Sequence, residues 1–168
     1  SNPVVLEAMK QQMDKATFGY RLHFENEPAE KFATAIAQRM PEGLDRVFFV
    51  SGGSEAVESC LKIALQYQTA IGQKTRRKFI SRQRSWHGNT FGALSVGGHP
   101  ARRGFYEPML MPHVSHVAPC FAFRHKPAEE TSAQYVSRLA AELEAEFQHV
   151  GPGRVIAFLA EPVVGATS

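Results

Sequence analysis

The chain has 168 residues, 43% of them hydrophobic, with a formal net charge of +3 at pH 7. This is enough apolar content for a real core, and the positive charge is too small and too scattered for a nucleic-acid surface; the densest basic run, residues 74–78, reads as a solvated loop entering a strand. Cys60 and Cys120 show no metal or disulfide spacing, and no signal, transmembrane or lipidation pattern is visible, so the expectation is reduced thiols in a soluble cytoplasmic protein with no membrane partner.

In chain order, Pro3 near a first turn and the spacing of Val4, Val5, Met9 and Met13 predict a helix to about Lys15. Residues 16–26 have no clean period and read as a loop with aromatic anchors. Glu27-Pro28 opens a second helix to about Arg39, with Phe32, Ile36 and Met40 on its inner side. The apolar, β-branched and aromatic residues 47–50 suit a buried strand, and Ser51-Gly52-Gly53-Ser54 breaks it. From Glu55 a helix follows to about residue 71, with Val57, Cys60, Leu61, Ala64 and Gln68 on one face. Residues 78–82 read as a strand, 85–90 as the loop at its end, and 91–96 as a short helix stopped by Gly97-Gly98. Residues 99–126 read as irregular, with one short strand at 114–117. His113, His116 and His125 lack metal spacing there and read as surface histidines. Thr131 or Ser132 caps an amphipathic helix to about His149, with Tyr135, Leu139, Leu143 and Phe147 along one face. Residues 154–160 form a continuous apolar strand ending at Glu161-Pro162.

Strands alternating with helices predict an α/β fold with a mostly parallel sheet flanked by helices, whose ligands bind at the C-terminal strand edge. The turn at 51–54, the Trp86 loop and Glu161 then share that edge. Residues 1–45 read as N-terminal helices with a loop, and 46–168 as part of a larger domain. With no initiator Met and an end just after a strand, the sequence reads as an internal piece of a longer chain.

A glycine turn at a helix start presents backbone N–H groups beside the positive end of the helix dipole, a place for a phosphate. No Lys-Ser/Thr pair closes the turn, as a P-loop needs, and no third glycine supplies a dinucleotide fingerprint. Gly52-Gly53-Ser54-Glu55-Ala56 comes close to a hydrolase nucleophile elbow, with Ala at its last position. Two readings therefore stand beside the phosphate site: an α/β hydrolase with Ser54 as nucleophile, and a turn in which Ser54 only caps the helix.

Val-Ser-Gly-Gly-Ser-Glu-Ala-Val-Glu (50–58), Ser-Trp-His-Gly-Asn-Thr (85–90) and Glu-Pro-Val-Val-Gly-Ala (161–166) resemble, in order and spacing, motifs of the class III aminotransferases, pyridoxal 5'-phosphate enzymes of fold type I. The resemblance covers almost the whole chain and implies the large domain of such an enzyme, a homodimer. It implies that Gly53 and Ser54 hold the cofactor phosphate and that Trp86 stacks on the pyridine ring, where the family more usually has Tyr or Phe. It places His87 and Gly88 in shaping the loop, and Glu161 as a group lining the site. His23 and Phe24 match a loop at the substrate entrance. Some members, similar to ornithine and 4-aminobutyrate aminotransferases, carry a second glutamate where Ala166 stands; its absence leans toward ω-amine or β-alanine:pyruvate-like enzymes, with an amine and a 2-oxo acid as substrates.

The family's Schiff-base lysine, and the Asp that pairs with the pyridine nitrogen, both lie beyond residue 168 on this resemblance, so no catalytic residue is assigned and the piece alone is expected to be inactive. Transamination needs that amine. A non-catalytic phosphate-ligand module on the same fold remains a third reading; a full-length chain without a downstream lysine would favour it, as inhibition by a serine-directed phosphonate would favour the hydrolase.

Overall fold

The computed structural model describes residues 1–20 and 22–166. The chain divides into two units, Ser1–Phe49 and Val50–Ser168. The first holds α1 (Pro3–Lys15), whose Asn2 side chain caps Val4 N, and α2 (Glu27–Ala37), capped likewise by Asn26 on Ala29 N. Both carry proline in the first turn, where its missing N–H costs nothing. Phe32, expected on the inner side of its helix, is exposed and stacks on Phe49, with ring centroids 5.4 Å apart.

The second unit begins with α3 (Gly53–Ala70) and continues through β1 (Lys78–Arg82), α4 (Phe91–Val96) and α5 (Pro100–Arg103). A 3-10 turn at Gly104–Met109 leads to β2 (Val114–Val117) and α6 (Ala122–His125). Helix α7 (Ser132–Val150) and β3 (Val155–Phe158) close it. The helical turns between residues 100 and 125 replace part of the irregular stretch expected there. Thr131 and Gln134 form a reciprocal capping box at the start of α7.

The strands form one sheet in the order β2-β1-β3, with β1 parallel to both neighbours. Phe79 faces Val114 on one side and Ala157 on the other, and the β1–β3 register slips between Lys78 and Phe79. Successive side chains of β1 point to opposite faces. Phe79 packs with Leu61, Val96 and Ile156 beneath α3 and α4, while Ile80 packs with Val117 and Val155 against Leu143, Phe147 and Val150 of α7. The sheet is thus covered on both sides, as parallel sheets require.

Two further expectations need correction. Residues 47–50 form no strand, and Phe48 and Phe49 are exposed. A strand exists only through its ladder; both edges of β1 are taken by β2 and β3, and no described strand pairs with 47–50. Cys60 is exposed, because the buried stripe of α3 runs through Val57, Leu61, Ala64 and Leu65, and Cys60 lies about 100° around the helix from Leu61.

Ile80 is fully buried. Ile80→Ala should lower unfolding free energy by about 2–5 kcal/mol, read as a shift of the urea midpoint.

Candidate functional site

Helix α3 starts at Gly53 with extended Gly52 as its N-cap and no side-chain cap. The first N–H groups of any helix have no partner within it, so those of Gly53 and Ser54 point out of the turn. A Cβ on Gly53 would meet nothing within 4 Å, which leaves open space beside them. The Glu55 carboxylate turns back to accept Ser51 N at 2.7 Å and fixes the entry of the chain.

The loop leaving β1 comes to this turn. The Ser54 hydroxyl donates to Asn89 Oδ1 at 3.0 Å and accepts Asn89 N at 3.1 Å. Gly88, with φ +135°, makes the approach possible: a Cβ there would stand 2.6 Å from Ser54 Oγ and 2.9 Å from Ala93 Cβ. Glu58, one turn along α3, braces the far side of the loop. Its Oε1 accepts the Thr90 hydroxyl at 2.6 Å and Ala93 N at 3.1 Å, so a carboxylate sits at the N-terminus of α4. Gly92 leaves room for it, since a Cβ would lie 2.5 Å from both carboxylate oxygens. At the other end of α4, Arg103 Nη1 donates to Ser95 O at 2.6 Å and Gly97 O at 2.7 Å. The short helix is held at both poles by the charge that suits each.

Glu161 follows β3 and reaches the same loop. Trp86 N donates to Glu161 Oε1 at 2.8 Å, and Gly165 N donates to Oε2 at 3.4 Å. Because β1 and β3 are parallel, Trp86 and Glu161 both leave C-terminal strand ends, and Asn89 ties Ser54 to that edge. The Trp86 indole is half-buried, with the Arg102 guanidinium carbon 4.2 Å from its ring centroid. His87 is half-buried too, its Nε2 3.4 Å from Ser81 Oγ. Burial holds the His87 imidazole below its ordinary value of 6.5, with the Glu161 charge opposing. His116, expected at the surface, is half-buried in β2, its Nε2 3.0 Å from Gly97 O. Burial and then the Arg103 charge lower it as well.

Gly53, Ser54, Trp86, His87 and Glu161 therefore all lie at one end of the sheet. His23 and Phe24 belong to the other unit, where His23 pairs with the Tyr20 ring. Sequence reasoning missed Glu58, Asn89, Arg102 and Arg103. Asn89 and Glu58 stood inside the motifs, but nothing in a motif says which partner a side chain will find. Ser54 Oγ finds both of its partners on Asn89, and among the described residues no imidazole pairs with it to act as a base. Among the described residues no group of three or more His, Cys, Asp or Glu could hold a metal ion.

Residues 1–167 match the family model of class III aminotransferases. The chain belongs to the class III aminotransferases. It is 46% identical over 165 residues to an uncharacterized aminotransferase of Schizosaccharomyces pombe, covering 98% of this chain and 36% of that protein. It is 34% identical over 165 residues to an omega-aminotransferase of Caulobacter vibrioides, covering 98% and 37%. An omega transaminase of Pseudomonas jessenii, solved in complex with PMP, superposes with a TM-score of 0.93 at 32% identity, covering 99% of this chain and 37% of its own. The chain thus spans little more than a third of these relatives.

The lowered imidazoles set a pH dependence. The unfolded chain binds protons near pH 6.5 that folded His87 and His116 refuse. Their contribution to stability is whole above that value and is lost as pH falls through the folded values. His87→Gln should flatten part of this loss, leaving the share of His116, when urea midpoints are compared from about pH 7 down to about pH 5.

Proposed function

We propose that the protein carrying this chain is a pyridoxal 5'-phosphate-dependent aminotransferase. It moves an amino group from an amine or ω-amino acid to a 2-oxo acid such as pyruvate, as a homodimer in the cytoplasm. The observation that carries this reading is the meeting of the α3 N-terminus with the Trp86 loop through the Ser54–Asn89 pair. It joins an anion-binding turn to an aromatic side chain on one sheet edge, in a chain whose family is pyridoxal-phosphate-dependent. The class III match and the omega-transaminase neighbour support the amine side of the reaction, and Ala166 in place of a second glutamate supports ω-amines over 4-aminobutyrate or ornithine. The absence, among the described residues, of a helix long and apolar enough to cross a membrane is compatible with the cytoplasm.

The residues present fit the cofactor. Gly53 and Ser54 N–H groups and the Ser54 hydroxyl would hold its phosphate, in the open space beside Gly53. Trp86 would lie on its ring, and His87 and Glu161 would line the site. When bound, the cofactor supplies a carbonyl that condenses with primary amines and a ring that draws off electrons. Glu161 Oε1 is committed to Trp86 N, so the role of this carboxylate is to fix the backbone that carries the aromatic. His87 stays neutral near pH 7 because burial disfavours its cation, so it adds no positive charge beside the ring. The Asn89 N–H holds the Ser54 hydroxyl beside the turn, and the hydroxyl hydrogen bond now made to Asn89 Oδ1 would be redirected to the phosphate when it binds.

Two measurements on the full-length protein test this. Ser54→Ala should weaken cofactor binding by about 1.5–3 kcal/mol in a titration, because one contact to a dianion is lost while the backbone donors remain. Borohydride reduction with pyridoxal phosphate, followed by peptide mapping, should label one lysine, and that lysine should lie outside residues 1–168. Stoichiometric labelling within them, with turnover by the 168-residue piece alone, would overturn the assignment.

A further inference from the structure

Two consecutive arginines meet opposite fates in α5. Arg103 is mostly buried and spends its guanidinium on carbonyls of residues 95 and 97 and on Glu107. Arg102 is exposed and forms no ion pair among the described residues. Its guanidinium lies instead over the Trp86 ring, 4.2 Å from the centroid. The pair forms the wall of a cleft of about 740 Å³ that Asn89, Thr90, Phe91 and Tyr106 also line.

We propose that Arg102 is a positioning residue for the cofactor: it covers one face of the Trp86 indole and so presents the other face to the pyridine ring. This rests on the cofactor reading above and goes beyond it, because that reading assigns no role to Arg102. A half-buried indole on a loop would otherwise rotate about its two side-chain torsions and lose that freedom only when ligand arrives. Glu161 fixes the Trp86 backbone through its N–H but leaves the ring free. A guanidinium is planar, matches the indole in shape and is attracted to the ring's negative face. Among the described residues no carboxylate competes for it, so Arg102 can stay there. The ordering of the ring then precedes binding and is not charged against affinity.

The test uses the full-length protein and four variants, Arg102→Met, Arg102→Lys, Trp86→Leu and the double variant Trp86→Leu/Arg102→Met. Emission from Trp86 is isolated by subtracting the spectrum of Trp86→Leu, without cofactor. Arg102→Met should shift that emission and make it more accessible to acrylamide. It should also raise the Kd for pyridoxal phosphate about two- to tenfold and reduce the circular dichroism of the visible cofactor band. Arg102→Lys should restore part of each, since it keeps the charge but not the plane. In the Trp86→Leu background Arg102→Met should have no further effect on Kd, which identifies the pair as one unit. Unchanged Trp86 emission and unchanged Kd in Arg102→Met overturn the proposal while leaving the cofactor reading intact. A raised KM for the 2-oxo acid with unchanged Kd also overturns it, and makes Arg102 a carboxylate ligand. If the unmodified protein develops no cofactor band, the cofactor reading falls, and this proposal with it.

Discussion

Because β1 pairs in parallel with both β2 and β3, the segments leaving all three strands emerge on the same side of the sheet. Everything at the site depends on that shared direction. The Trp86 loop leaves β1 and Glu161 follows β3, so a single carboxylate can take the loop's backbone N–H without any long excursion of the chain. Parallel pairing in turn requires helices on both faces, and α3 therefore lies against Phe79 with its first turn beside the loop. The placement of the helix start is a consequence of covering the sheet, and its unpaired first N–H groups come with it.

Several contacts around that edge are charge-assisted, and those of Glu58 and Arg103 converge on the small helix α4. Six residues make a poor helix by themselves. Glu58 and Arg103 offset this by placing a negative group at one pole and a positive group at the other, both hydrogen-bonded to the backbone. The loop between residues 85 and 90 is thereby braced on both sides, by Asn89 on Ser54 and by Thr90 on Glu58. Glycines at 88 and 92 are the spaces these side chains occupy.

The sequence was most legible where local chemistry and burial agree. Periodicity and capping located α1, α4, α7 and both β1 and β2 closely, because each has its boundary residues in sequence: Pro3, Gly97, Thr131 and the apolar runs. It failed at residues 47–50, whose strand-like composition finds no described strand to pair with, and at Cys60, where the apolar stripe was drawn about one residue too wide. The edge shared by Trp86 and Glu161 was foreseen from alternation; Ser54 was expected there through a strand at 47–50 that does not form, and it reaches the edge through Asn89. What could not be read was pairing across distance. Glu58 could have served a lysine on its own helix by spacing rules, and only the packing of α3 on α4 gives it Thr90 and Ala93. Arg102 and Arg103 are adjacent and chemically identical in sequence; the turn of α5 sends one inward and the other onto an indole.

The bond between Trp86 and Glu161 joins residues 75 positions apart. A ribosome adding about 5–20 residues per second makes the second partner roughly 4–15 s after the first. During that interval the loop has its glycines and its contacts to α3, but no anchor for the tryptophan backbone. Nascent chains therefore pass through a stage in which the loop carrying an apolar ring is already synthesised and its backbone not yet anchored, a window in which chaperone engagement competes with docking of β3.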